Sequence, residues 1–197
     1  MIDSKGNDKE KAFIATASGK KFFILEPRLE DIDIYDIAHS LALQCRWTGH
    51  TKYHYSIAQH SYYCSFIGPD SEAFDRLMHD AAEAYTGDMN RPLKHYTEAG
   101  TFYRKVEANV QHAIAARFGF SVVEPKSVKL ADNSMLYAEK DQITNAKFEE
   151  AQVWESYTER PAAWSGKWPI EIEEWYPDKA KQIFLTRFED LYKGRIN

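Results

Sequence analysis

Residues 70–88 read DSEAFDRLMHDAAEAYTGD. Asp70 or Ser71 can cap a helix, Phe74, Leu77, Met78, Ala81, Ala82 and Tyr85 recur at helical spacing on one face, and Gly87 ends the run. The spacing predicts one continuous helix in which His79 and Asp80 are neighbours. Their side chains would leave about 100° apart, so a cation between those directions could touch both. Glu83 stands one turn beyond His79, and all three lie opposite the apolar stripe. Taken by itself, this helix reads as a solvated polar face.

Outward from that stretch the chain reads almost entirely as helix. Asp33 to Cys45 carries Ile34, Ile37, Ala38, Leu41 and Ala42 in register, and a second helix runs from about Tyr53 to Ile67, stopped by Gly68-Pro69. A loop containing Arg91-Pro92-Leu93-Lys94 leads to a long helix from about Thr101 to Phe118, striped by Phe102, Val106, Val110, Ala113 and Ile114. Pro125 opens another, to about Lys147. The segment from Trp154 to Trp175 is rich in Trp and Pro, and a last amphipathic helix covers Pro177 to Tyr192. The exception lies near the start, where Phe13 to Ala17 and Lys20 to Leu25 flank Ser18-Gly19 and predict a small hairpin. The expected fold class is all-α, a helical bundle with a small N-terminal β-hairpin. A length of 197 residues suits one domain: hairpin at 13–25, helical core at 31–147, Trp-rich tail and C-terminal helix at 148–197.

Composition narrows what such a bundle can do. A formal charge of −5 argues against a general affinity for a nucleic acid polymer, so any phosphate must be met locally. Cys45 and Cys64 sit in apolar stretches and form no close-spaced pair, as expected of reduced thiols in the cytoplasm. Met1 to Lys11 is polar where a signal peptide needs an apolar core, and no later run is long enough to span a bilayer. The expectation is a cytoplasmic protein without membrane contact.

Two polar residues elsewhere change the reading of His79-Asp80. His60 continues the stripe of Ile57, Cys64 and Ile67, and Asp132 stands one turn from both Val128 and Leu136, beside Met135. A histidine there is commonly a satisfied core residue, but a buried carboxylate costs several kcal/mol unless a cation or metal pairs with it. His60, His79, Asp80 and Asp132, converging from three helices, would make a nitrogen and oxygen site for one divalent transition metal, with Zn, Co or Mn suited to it. Such a site can polarise a phosphoryl oxygen and acidify water.

The ordered set His60, His79-Asp80 and Asp132 resembles the H…HD…D signature of the HD-domain phosphohydrolases. Ser56-Ile57-Ala58-Gln59-His60, the run from His79 to Asp88, and Arg46-Trp47 resemble the bacterial and phage 5′-deoxynucleotidase branch of that family, over roughly Gly19 to Lys147. The resemblance implies an HD-domain bundle with Glu83 as general acid or base and Asp88 as a helper near the phosphate. It further implies Arg46 at sugar or phosphate and Trp47 along sugar and base, where a planar wall would crowd a ribose hydroxyl. Read from the residues alone, Asp88 fits a turn after Gly87 and Trp47 fits core packing. Pro92, Lys94 and Lys129 resemble positions used by HD-type phage dATP triphosphohydrolases. Gln59 replaces a Glu of the bacterial monophosphatases, a change that favours a more anionic substrate.

The resemblance therefore implies a metal-dependent deoxynucleotide phosphohydrolase, releasing deoxyadenosine and tripolyphosphate from dATP, in a homo-oligomer. A 5′-deoxynucleotidase acting on monophosphates would use the same ligands. A two-metal relative would need further histidines, and only His95 and His112 lie between Asp80 and Asp132. A catalytically silent nucleotide-binding module is the reading from another class.

Overall fold

The computed structural model describes residues 9–146 and 170–193. The molecule is mostly helical, with one two-stranded antiparallel hairpin near its start. Strand β1 (Ile14–Ala15) pairs with β2 (Lys21–Phe22), and Gly19 in the turn takes φ +82°, as the Ser18-Gly19 pair predicts. Eight α-helices follow among the described residues: α1 (Ile34–Leu43), α2 (Ile57–Cys64), α3 (Ala73–Leu77), α4 (Glu83–Thr86), α5 (Arg91–Tyr96), α6 (Glu98–Phe118), α7 (Lys126–Ile143) and α8 (Pro177–Lys193).

Local chemistry sets several boundaries. Asp33 accepts the Tyr35 N–H at 2.9 Å, Ser56 the Gln59 N–H at 3.1 Å and Thr97 the Gly100 N–H at 3.0 Å, each satisfying an amide that a helix start leaves without a partner. The run expected to be a loop at Arg91-Pro92-Leu93-Lys94 is instead the first turn of α5. Asn90 caps it through the Leu93 N–H, and a proline near a helix start forfeits no internal hydrogen bond. Gly100 lets α6 press against α5, since a β-carbon there would lie 2.2 Å from the Leu93 carbonyl oxygen. That approach positions Lys94.

The core is one cluster to which α1, α2, α6, α7 and α8 all contribute, centred on Ile37, Leu41, Ile57, Ile67, Leu77, Ile114, Met135 and Phe184. Phe102, expected on the buried stripe of the long helix, is 65% exposed, because only the later turns of α6 meet the core through Val110 and Ile114. The C-terminal helix is integral to the packing: Phe188 meets Phe74 and Phe118 at ring separations of 5.4 and 5.2 Å. Of the Trp-rich stretch, residues 154–169 lie outside the described residues. Trp175, which ends it, packs against Tyr62 and Tyr63 on α2. No helix among the described residues is long and apolar enough to cross a membrane.

Arg76 ties three segments together. It is fully buried, donating to the carbonyls of Cys64, Ser65 and Pro69 and to Ser127 Oγ, so one guanidinium holds the end of α2, the turn after it and the start of α7. Arg76→Met should lower stability by about 2–4 kcal/mol, since the Cys64, Ser65 and Pro69 carbonyls, the first two buried, lose a charge-assisted partner. Urea denaturation of the variant checks this; a midpoint equal to that of the native chain would show those carbonyls are satisfied otherwise.

Candidate metal centre

The helix expected to run unbroken through residues 70–86 is interrupted where the chemistry is densest. α3 ends at Leu77, the backbone turns through Met78 to Ala82 with tighter bonds such as Ala81 N–H to Met78 O and Glu83 N–H to Asp80 O, and α4 resumes at Glu83. Side chains serve three of the backbone groups around the break. Gln111 on α6 donates to the Met78 carbonyl at 2.7 Å and accepts the Ala82 N–H at 3.0 Å, while His79 Nδ1–H donates to the Arg76 carbonyl at 2.8 Å. His79 and Asp80 thus lie close on one side, with Nε2 3.1 Å from Oδ2.

The four residues expected to hold a metal come together. His60 Nε2 lies 3.7 Å from Asp80 Oδ2 and 3.5 Å from Asp132 Oδ1, and the rings of His60 and His79 are 5.3 Å apart. Donors about 2.1 Å from one ion sit about 3.0 Å apart at a right angle and about 3.4 Å apart at the tetrahedral angle, so these separations need little adjustment. Both imidazoles present the proper nitrogen. A carbonyl only accepts, so His79 Nδ1 carries a proton and, in the neutral ring, Nε2 would carry the lone pair; Nε2 makes no hydrogen bond although Asp80 Oδ2 lies 3.1 Å away. A metal fits this donor set. His60, Cys64 and His79 also form a possible metal-binding group, with one donor atom of each lying within 4.8 Å of the others.

The residue that sequence reasoning missed is Glu139. Fully buried on α7, it accepts from His60 Nδ1 at 2.6 Å, Tyr55 Oη at 3.0 Å, Trp47 Nε1 at 2.9 Å and Arg46 Nε at 3.4 Å. Burial works to raise its pKa, but Arg46 and His60 outweigh burial and leave it below the ordinary range, hence ionised. An ionised partner at Nδ1 leaves Nε2 of His60 as the donor toward Asp80 and Asp132. Its position seven residues beyond Asp132, nearly two turns along the same helix, was the available signal.

Arg46 and Trp47 join this arrangement through carboxylates. Arg46 reaches Asp80 at 3.3 Å and Asp132 at 3.8 Å, the two carboxylates expected to hold the metal. Trp47 and Thr48 take φ of +58° and +52°, an uncommon backbone for side chains of this size, and the Trp47 bond to Glu139 helps hold it there.

Beside the four donors opens a cavity of about 240 Å³. His79, Asp80, Glu83, Lys94, Lys129 and Asp132 line it, together with Glu107, Gln111 and Glu124. Glu83 is 6% exposed, contradicting a solvated face, and its Oε2 has no hydrogen-bond partner. Burial, then Asp80 and Asp88, push its pKa well above the carboxylate range. Burial also opposes the charge on Asp80 and Asp132, but His79 and His60 respectively, with Arg46, hold both low. Lys94 Nζ sits 2.8 Å from Glu107, and Lys129 Nζ 3.4 Å from Asp132. Asp88, Trp47 and Pro92 do not line the cavity, and Asp88 and Pro92 are exposed. Gln59 is turned away, its amide donating to the Glu173 carbonyl at 2.7 Å. His95 and His112 are exposed and outside the lining.

No protein-family model matches the chain. It is 35% identical over 184 residues to the uncharacterized protein YfdR of Escherichia coli (strain K12), spanning 93% of this chain and 98% of that protein. It is also 35% identical over 156 residues to the uncharacterized protein RCAP_rcc00048 of Rhodobacter capsulatus, covering 73% of this chain and 78% of the other.

Two substitutions separate donor from positioning roles. Asp132→Ala should abolish tight metal binding, and Glu139→Gln should weaken it by about 10- to 100-fold in a folded protein, as loss of a partner behind a histidine ligand does. Metal titration with circular dichroism checks both. Full occupancy in Asp132→Ala would remove that residue from the donor set.

Proposed function

Starting from the family that includes YfdR, to which this chain belongs, we propose that the protein is a metal-dependent phosphohydrolase acting on a deoxynucleotide. The observation that carries this reading is the convergence of two imidazole nitrogens and two carboxylates beside a buried Glu83, at a cavity that also holds two lysines. His60, His79, Asp80 and Asp132 would hold one divalent transition metal, which when bound supplies Lewis acidity toward a phosphoryl oxygen.

The chain's own groups divide the remaining work. Glu83, whose raised pKa lets it hold a proton closer to neutral pH, moves that proton between water and the leaving sugar oxygen. Lys94 and Lys129 give the walls positive charge to meet phosphate oxygens. Glu139 keeps His60 oriented, and Arg46 balances the carboxylates.

For a triphosphate such as dATP, water adds at the α-phosphorus and the sugar oxygen leaves with a proton, giving deoxyadenosine and tripolyphosphate. The close Lys94–Glu107 pair favours a second reading, hydrolysis of a deoxynucleoside monophosphate, because that lysine already has a partner. Incubating the metal-loaded protein with deoxynucleoside mono- and triphosphates and identifying the products separates the two. Tripolyphosphate from dATP supports the first; orthophosphate from monophosphates alone supports the second; no turnover on any of them would overturn the proposal.

Glu83→Ala should slow turnover by about 100-fold or more with metal affinity retained, as for loss of a proton-transfer group. An unchanged rate would exclude Glu83 from the chemistry. Lys94→Ala with Lys129→Ala should depress triphosphate hydrolysis far more than monophosphate hydrolysis, and equal losses would argue against a lysine grip on outer phosphates.

A further inference from the structure

We propose that Cys64 is a further ligand of the same metal, so that the site selects thiophilic divalent ions over hard ones. The inference rests on reading the site as a metal centre and changes its donor set. His60 and Cys64 are four residues apart on α2, so both project from one face, and that face is the one turned to His79. Cys64 Sγ lies 3.4 Å from His60 Nε2, within hydrogen-bond distance of the nitrogen turned away from Glu139 and toward Asp132. A nitrogen at about 2.1 Å and a sulfur at about 2.3 Å from one ion are about 3.1 Å apart at a right angle and about 3.6 Å apart at the tetrahedral angle. The observed separation falls between the two.

An independent sign comes from His79. Its side chain is 7% exposed, its Nε2 makes no hydrogen bond although Asp80 Oδ2 lies 3.1 Å away, and it belongs with His60 and Cys64 to the cluster within 4.8 Å. Cys64 itself is 1% exposed. A buried cysteine with a purely packing role would be expected against apolar atoms, whereas this sulfur faces imidazole nitrogens. Coordination forms a sulfur–metal bond and releases the thiol proton to solvent, with no change of oxidation state. Soft sulfur beside imidazole nitrogens favours Zn and Co over Mn and Mg, where carboxylates alone would discriminate less.

The test is to load the full-length protein with Co²⁺ and record its absorption. We expect visible ligand-field bands together with an intense near-ultraviolet charge-transfer band from thiolate sulfur, the latter lost in both Cys64→Ser and Cys64→Ala while the visible bands remain. Visible bands without charge transfer in the native chain would overturn the Cys64 assignment and leave the metal centre standing. Absence of both would overturn the metal centre itself. In competition titrations, Cys64→Ser should lose at least about tenfold in Zn²⁺ affinity, the lower end of what even an outer-shell change costs, with Mn²⁺ affinity nearly unchanged. Equal changes for the two ions, in a variant whose circular dichroism matches the native chain, would also overturn the assignment.

Discussion

A carboxylate without solvent exposure must be surrounded by donors, and Glu139 draws them from three parts of the chain. His60 comes from α2, Tyr55 from the segment just before it, and Arg46 with Trp47 from the turn after α1. Removing the carboxylate would leave a buried imidazole N–H, a phenol, an indole N–H and a guanidinium short of a partner. The positions of α1, α2 and α7 are therefore coupled through one side chain. The same bonds fix which nitrogen of His60 points at Asp80 and Asp132, so a fold constraint and the orientation of that imidazole have one cause.

The break between α3 and α4 plays the complementary part on the other side of the site. A regular helix would spread His79 and Asp80 around its axis and engage every carbonyl internally. Interrupting it frees the Arg76 carbonyl to hold His79 Nδ1 and lets the Gln111 amide bond the Ala82 N–H and the Met78 carbonyl together. Arg76 contributes its carbonyl to His79 and its guanidinium to the end of α2 and the start of α7. The elements bearing His60, His79-Asp80 and Asp132 are thus referred to one residue that touches no predicted ligand through its own charge.

Much of this was legible in the residues. Helical periodicity located α1 and α2, Pro125 marked the start of α7, and Ser18-Gly19 located the hairpin, whereas the caps at Asp33 and Ser56 came only with the structure. The two polar residues on apolar stripes, His60 and Asp132, marked where the helices meet around charge. What periodicity could not show was the break at Met78 to Ala82, because the apolar spacing of Leu77, Met78, Ala81 and Ala82 is the same whether the turn is α or tighter. Nor could it show Glu139, since an acidic residue late in a helix usually faces water and becomes a buried partner only through three distant segments. Lys94 was legible as a cation near the site but not as one already held by Glu107 from the next helix.

The balance of charge in the cavity explains why metal and phosphate chemistry would depend on each other. Its lining carries Asp80, Glu83, Glu107, Glu124 and Asp132 against Lys94 and Lys129. Glu107 neutralises one lysine at 2.8 Å, and the other leans on Asp132, so little positive potential remains for an incoming anion. Arg46 offsets Asp80 and Asp132, but Glu139 shares its guanidinium. Charges a few ångströms apart with restricted water interact by several kcal/mol, so these carboxylates would repel a phosphate strongly. A divalent cation held by His60, His79, Asp80 and Asp132, as proposed, would reverse the sign of the potential beside those carboxylates and would compete with Lys129 for Asp132. On the proposed function, phosphate affinity would then follow metal occupancy, with the acidic lining as the condition that ties the two together.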